Sequence, residues 1–122
     1  MQPLKNLYKL KNILKRYKDL GRPGFNTEDY PLDSCFVTES YEFAVCNRWL
    51  STKQKIKTIN NKISSYGLKQ KVEKRYGEYV SNGVFIAAAL YNGFKIKKSG
   101  PNAFFNISHK NMNRWVKREI QV

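Results

Sequence analysis

Apolar and polar residues follow more than one rhythm along this chain, and the clearest change of rhythm falls between Gly77 and Ser108. Val84 to Tyr91 is apolar on every face, which predicts a short helix buried all round. Ser81 or Asn82 supplies the cap at its start, where a short polar side chain accepts orphan backbone N–H groups. Gly93 follows as the left-handed residue that ends it. Phe94-Lys95-Ile96-Lys97-Lys98 then alternates with period two, predicting a strand with one wet, basic face. Ser99 to Asn102 are four turn formers in a row, and Ala103 to Ile107 returns as the second strand of a β-hairpin.

Helical spacing dominates elsewhere. Residues 1–20 read as a first helix with Leu4, Leu7, Tyr8, Leu14 and Tyr17 along its apolar side. Its lysine face either is simply solvated or lies along phosphates. Gly21 to Gly24 breaks this helix. Residues 25–37 read as a loop with one short extended piece at Cys35-Phe36-Val37. Thr38 or Ser40 then caps a deeply packed helix over Glu39 to Leu50, with acids in its first turn as the helix dipole favours. Ile56, Ile59, Ile63 and Tyr66, spaced three, four and three, predict a third helix ending at Gly67. Leu68, Val72 and Tyr76 predict a short fourth one ending before Gly77. Ser108 is expected to cap a C-terminal helix with Met112, Trp115, Val116 and Ile120 inward. The expected fold class is α+β: a small, mostly helical single domain over residues 1–122, with four to six helices and one β-hairpin.

A buried helix followed by a basic hairpin resembles the winged-helix pattern, a fold-level likeness confined to this segment and carrying no diagnostic motif. The likeness implies a hairpin lying along the phosphate backbone as a wing. Gly83 to Leu90 shows no polar side chain that could meet base edges, so this helix reads as scaffold. Groove contacts then fall to the basic third or fourth helix, or to the hairpin.

Composition sharpens the picture. With 122 residues, 41% of them hydrophobic, the chain can build a core without disulfides or metal. No apolar run approaches the ~20 residues of a membrane span. The N-terminal stretch lacks an apolar segment of signal-peptide type, so a cytoplasmic protein is expected. Cys35 and Cys46 could be bridged, but their apolar surroundings favour buried free thiols. One histidine and two cysteines are too few for the usual zinc ligand sets. No metal and no cofactor is expected.

The net charge of +14 changes the picture most, because so large a surplus repels itself and usually serves a polyanionic partner. It is unevenly spread. Residues 21–50 hold five acids (Glu28, Asp29, Asp33, Glu39, Glu42) against Arg22 and Arg48, whereas residues 51–76 hold seven lysines and one arginine against Glu73. The residues expected to grip phosphates are Lys53, Lys55, Lys57, Lys62, Lys69, Lys71, Lys74 and Arg75, then Lys95, Lys97 and Lys98 of the hairpin, and Arg114. If Ala103, Phe105 and Ile107 face inward, Phe104 and Asn106 face outward beside Lys95 and Lys97. Phe104 then either stacks on a base or covers a neighbouring helix.

Catalysis finds little support. The acids could hold Mg²⁺ in a nuclease, yet a loop and a first helical turn account for them through capping and solubility. His109 has no nucleophile-bearing turn to serve. Neither GxxxxGK[ST] nor GxGxxG occurs. The expectation is a non-catalytic nucleic-acid-binding protein, DNA ahead of RNA. Its lysines favour general over sequence-specific affinity, being point charges rather than bidentate forks. The alternative is a small basic interaction or inhibitor protein, of the kind phages and mobile elements encode. Its target would be an acidic protein or a ribonucleoprotein. No membrane partner is expected.

Overall fold

The computed structural model describes residues 3–32, 36–110 and 112. Its elements are α1 (Pro3–Arg16), β1 (Leu20–Gly21), β2 (Gly24–Phe25), α2 (Phe36–Leu50), β3 (Lys55–Asn60), α3 (Ser65–Tyr76), α4 (Asn82–Tyr91), β4 (Ile96–Ser99) and β5 (Asn102–Ile107). The class is α+β, with four helices, a two-stranded sheet β1-β2 and a three-stranded antiparallel sheet ordered β3-β5-β4. Among the described residues no helix is long and apolar enough to cross a membrane. Of the expected C-terminal helix, Ser108 to Lys110 and the buried Met112 are described, while the rest, Arg114 included, lies outside the described residues, as does Cys35.

Helix α4 is the centre. Asn82 to Ala89 are all buried, and α1, α2, α3, β2 and β5 pack around them. Ser81 caps it as expected, its hydroxyl accepting from the Val84 N–H at 3.2 Å. Gly93 takes φ +83° just past its end, letting the Phe94 N–H reach back to the Ala89 carbonyl at 3.1 Å. A chain of edge-to-face rings crosses the core, from Trp49 to Phe85 (6.1 Å between centroids) and on to Phe105 (6.2 Å).

The β1–β2 hairpin sits directly on the first turn of α4. The Gly83 N–H donates to the Arg22 carbonyl at 2.8 Å, and the Phe25 N–H to the Pro101 carbonyl at 2.8 Å. These backbones approach so closely that a Cβ on Gly83 would collide with the carbonyl of Gly21, and one on Gly24 with that of Pro101. Gly24 also has φ +131°, where other residues are strained. Glycine is therefore required at both positions.

Three expectations need correction. Lys55 to Asn60 is a strand, not the first half of a helix. Ile56, Thr58 and Ile59 are β-branched and stiff against a helical turn, and a two-stranded hairpin alone is marginal. The central strand β5 gains its second neighbour from β3, with Lys55 opposite Ile107 and Asn60 opposite Phe105. The unequal spacing of those two pairs shifts the register within β3. The three-four-three spacing thus joined isoleucines from a strand and a turn to a tyrosine in α3. Gly67 does not end a helix either. It lies inside α3, where a Cβ would press on the Ile63 side chain. The stop comes at Gly77, with φ +69°. Helix α2 also begins earlier than expected, taking in Phe36 and Val37.

Gly83→Ala reads the α4 contact by the sign of its effect. Alanine ordinarily stabilises a helix by up to ~1 kcal/mol over glycine. Here the collision with Gly21 should reverse that and cost about 2–3 kcal/mol, as overpacking does, measured by urea unfolding.

Candidate nucleic-acid interface

The two faces of the three-stranded sheet differ as period two requires. Ala103, Phe105 and Ile107 are buried on the core side, and Phe104, half-buried, turns the other way beside Lys97, its cross-strand neighbour. Lys95 and Lys97 are exposed. Asn106 departs from its expected exposure because its amide ties both edge strands to β5. Its Nδ2 donates to the Ile56 carbonyl at 2.8 Å, and its Oδ1 accepts from the Lys95 N–H at 2.6 Å. It is a buried staple. Lys98, opposite Ala103, is drawn to the core side, where its ammonium meets Asp19 at 3.4 Å and stands 4.4 Å above the Phe25 ring.

Strand β3 brings Lys55 and Lys57 to the opposite edge of the same sheet, both exposed. The Lys55 ammonium lies 5.2 Å over the Phe94 ring, and that of Lys53 lies 4.6 Å over Trp49. Lys62 is exposed in the turn after β3, and Lys74 on α3. Lys71 and Arg75 are partly buried on α3, with the Arg75 guanidinium 4.9 Å from the Tyr76 ring. Lys69 points inward. It is buried, pairs with Glu73 at 2.8 Å, and fills the space between the rings of Tyr66 and Tyr79, 5.0 Å and 4.6 Å away. The structure thus sets Lys97 beside Phe104 with Lys95 exposed just before β4, places Lys55 and Lys57 exposed at the β3 edge of the sheet, and commits Lys69 to a buried pair and Lys98 to an exposed one.

The acids of α2 are not surface groups. Glu39 and Glu42 are buried, and Arg22 from the β1–β2 turn reaches both, at 2.8 Å and 3.5 Å. The second oxygen of Glu42 accepts from the Ser81 N–H at 2.9 Å, and Glu73 accepts from the Val80 N–H at 3.2 Å. Partial burial pulls the Arg22 pKa down. The hydrogen bond to Glu39 and the charges of Glu42 and Glu39 outweigh it, so the net shift is upward. Cys46 is a buried free thiol beside this network. Its burial first, then the negative charges of Glu42 and Glu73, push its pKa well up. Its contribution to stability is full below about pH 8.5, the unperturbed thiol pKa, and is lost as pH rises from there toward the folded pKa. Among the described residues no group of three or more His, Cys, Asp or Glu is placed to hold a metal ion.

Beside this network lies a pocket of about 440 Å³ lined by Arg22, Tyr30, Tyr66, Lys69, Tyr79 and Asn82. The Asn82 amide is held in one orientation, because its Nδ2 donates to the Pro23 carbonyl at 3.0 Å and to Asn102 Oδ1 at 2.9 Å. Its Oδ1 is left buried without a donor, a deficit worth about 1–3 kcal/mol. Sequence reasoning missed both the network and the pocket. The available signals were the three-residue spacing of Glu39 and Glu42, which puts both on one helix face, and Tyr30 and Tyr79, which no apolar stripe claimed.

Against known proteins, no family model, no curated protein and no solved structure matches the chain.

Removing Arg22 would leave two carboxylates buried without their cation. Arg22→Ala is expected to cost about 2–3 kcal/mol in urea unfolding, somewhat less than a fully buried pair because the guanidinium is partly screened by solvent. Adding Glu39→Gln and Glu42→Gln should restore part of that loss.

Proposed function

We propose that this protein binds nucleic acid without acting on it chemically, DNA ahead of RNA, and that the phosphate backbone lies across the β3-β5-β4 sheet. The observation that carries this reading is a separation of charge. Among the described residues, Lys57, Lys62, Lys74, Lys95 and Lys97 are in no ion pair, while Glu39, Glu42 and Glu73 are turned onto Arg22 and Lys69. Cations left free at the surface, with the nearby acids neutralised inside, give a field that draws a polyanion. Phe104 adds an aromatic edge among the lysines.

The order α2-β3-α3-α4 followed by the hairpin β4–β5, with β5 between β3 and β4, supports a winged-helix-like arrangement. Two features set this chain apart within that arrangement. The helix in the groove-reading position would be α4, which is buried. The hairpin turn is held against Phe25 through Pro101 rather than projecting as a free wing. Contact therefore shifts from a helix to the lysines of the sheet, and the affinity they give is general rather than sequence-specific.

Fluorescence anisotropy with duplex DNA, single-stranded DNA and RNA across a salt series tests this. Affinity should fall steeply as salt rises. Lys95→Ala together with Lys97→Ala should reduce the log–log salt slope on duplex DNA by about two phosphate contacts, near 1.8. Stability should change by less than ~0.5 kcal/mol, since both side chains are exposed. An unaltered slope, or weak binding to all three probes at ~50 mM salt, would contradict the reading.

A further inference from the structure

Tyr30, Tyr66 and Tyr79 are 64%, 51% and 63% exposed, yet they come from three separate parts of the chain to surround one pocket. Single exposed aromatics are ordinary, whereas several gathered round one concavity of ligand-holding size mark a site. The two cations that line it have little charge left to offer. Arg22 is matched by Glu39 and Glu42, and Lys69 by Glu73. A phosphate would gain little here, but a flat, uncharged ring would gain from the tyrosine faces. Asn82 adds direction. It is 5% exposed, both acceptors of its Nδ2 are already in place, and its buried Oδ1 lacks a donor.

A nucleobase is planar, uncharged and edged with N–H donors. The geometry points to this pocket as the site for one unstacked base, its face against the tyrosine rings and its edge toward Asn82. Enzymes and binding proteins that take a base out of the stack meet the same two requirements, an aromatic face and a hydrogen-bonding edge. The inference rests on the nucleic-acid reading and deepens it. The sheet holds the backbone, and the pocket selects strands with a base free to leave the stack. An intact duplex would engage only the lysines.

The test compares three DNA duplexes: fully paired, with one bulged adenosine, and with an abasic residue at the same bulge. The wild-type protein should prefer the bulged adenine over the abasic bulge by at least about fivefold, the lower end of what one stacked base supplies. Tyr79→Ala should remove that preference and Tyr79→Phe should retain it. Both variants should keep the wild-type salt slope on the paired duplex, with far-UV circular dichroism confirming the fold. Equal affinity for the base and the abasic bulge overturns the assignment, as does a preference that survives in both Tyr79→Ala and Tyr66→Ala. Should none of the duplexes bind, the lysine reading fails by itself. Free adenosine followed by NMR at the ring resonances of Tyr30, Tyr66 and Tyr79 then decides the pocket. Shifts confined to those rings uphold it as a nucleoside site, and unmoved rings overturn it.

Discussion

The rest of the structure depends on how closely the β1–β2 hairpin lies against the start of α4. Gly83 donates its N–H to the Arg22 carbonyl, and the absence of a side chain on Gly83 lets the Gly21 backbone pass over it. That approach closes the core over an α4 that has no polar face of its own. It also sets Arg22 above α2, where Glu39 and Glu42 need a cation. Asn82 bonds the same hairpin at Pro23 and the turn of the large sheet at Asn102. One node thereby joins both sheets to the central helix.

The node also organises the surface. Because Arg22 holds the buried Glu39 and Glu42, and Lys69 holds Glu73, these three carboxylates do not offset the exposed lysines, whereas Glu28 and Asp29 stay exposed. A salt bridge of this kind is weak evidence for stability, since ion desolvation offsets most of the attraction. Its consequence here is electrostatic: the exposed charge is more one-sided than the composition suggests. Arg22, Lys69 and Asn82 also line the tyrosine pocket, so the groups that close the core shape the one concavity proposed to take a base.

The sequence was most legible where structure is local. Helix α4 and the β4–β5 hairpin follow from caps, turn formers and a change of period, all within a few residues of one another. Strand β3 was misread because Ile56, Ile59 and Ile63 satisfy a helical spacing, and the strand that settles the matter, β5, lies more than forty residues away in the chain. Asn106 looked like a surface residue by alternation alone, and only the arrival of β3 makes it a staple. The tyrosine pocket left only the trace of Tyr30 and Tyr79 standing outside any apolar stripe. It is assembled from Arg22, Tyr30, Tyr66, Lys69, Tyr79 and Asn82, and nothing near Tyr30 in the chain foretells Tyr79. Glu39 and Glu42 read as first-turn acids, since their burial depends on a cation from a different segment.

Amide chemical-shift mapping with a short bulged DNA duplex tests the account most directly, because it shows which surface the polyanion covers. The largest shifts are expected along Lys55 to Lys57, Lys95 to Lys97 and Phe104, continuing to Tyr66 and Tyr79 only when the bulge carries a base. Shifts confined to α1, with the sheet residues unmoved, would contradict it.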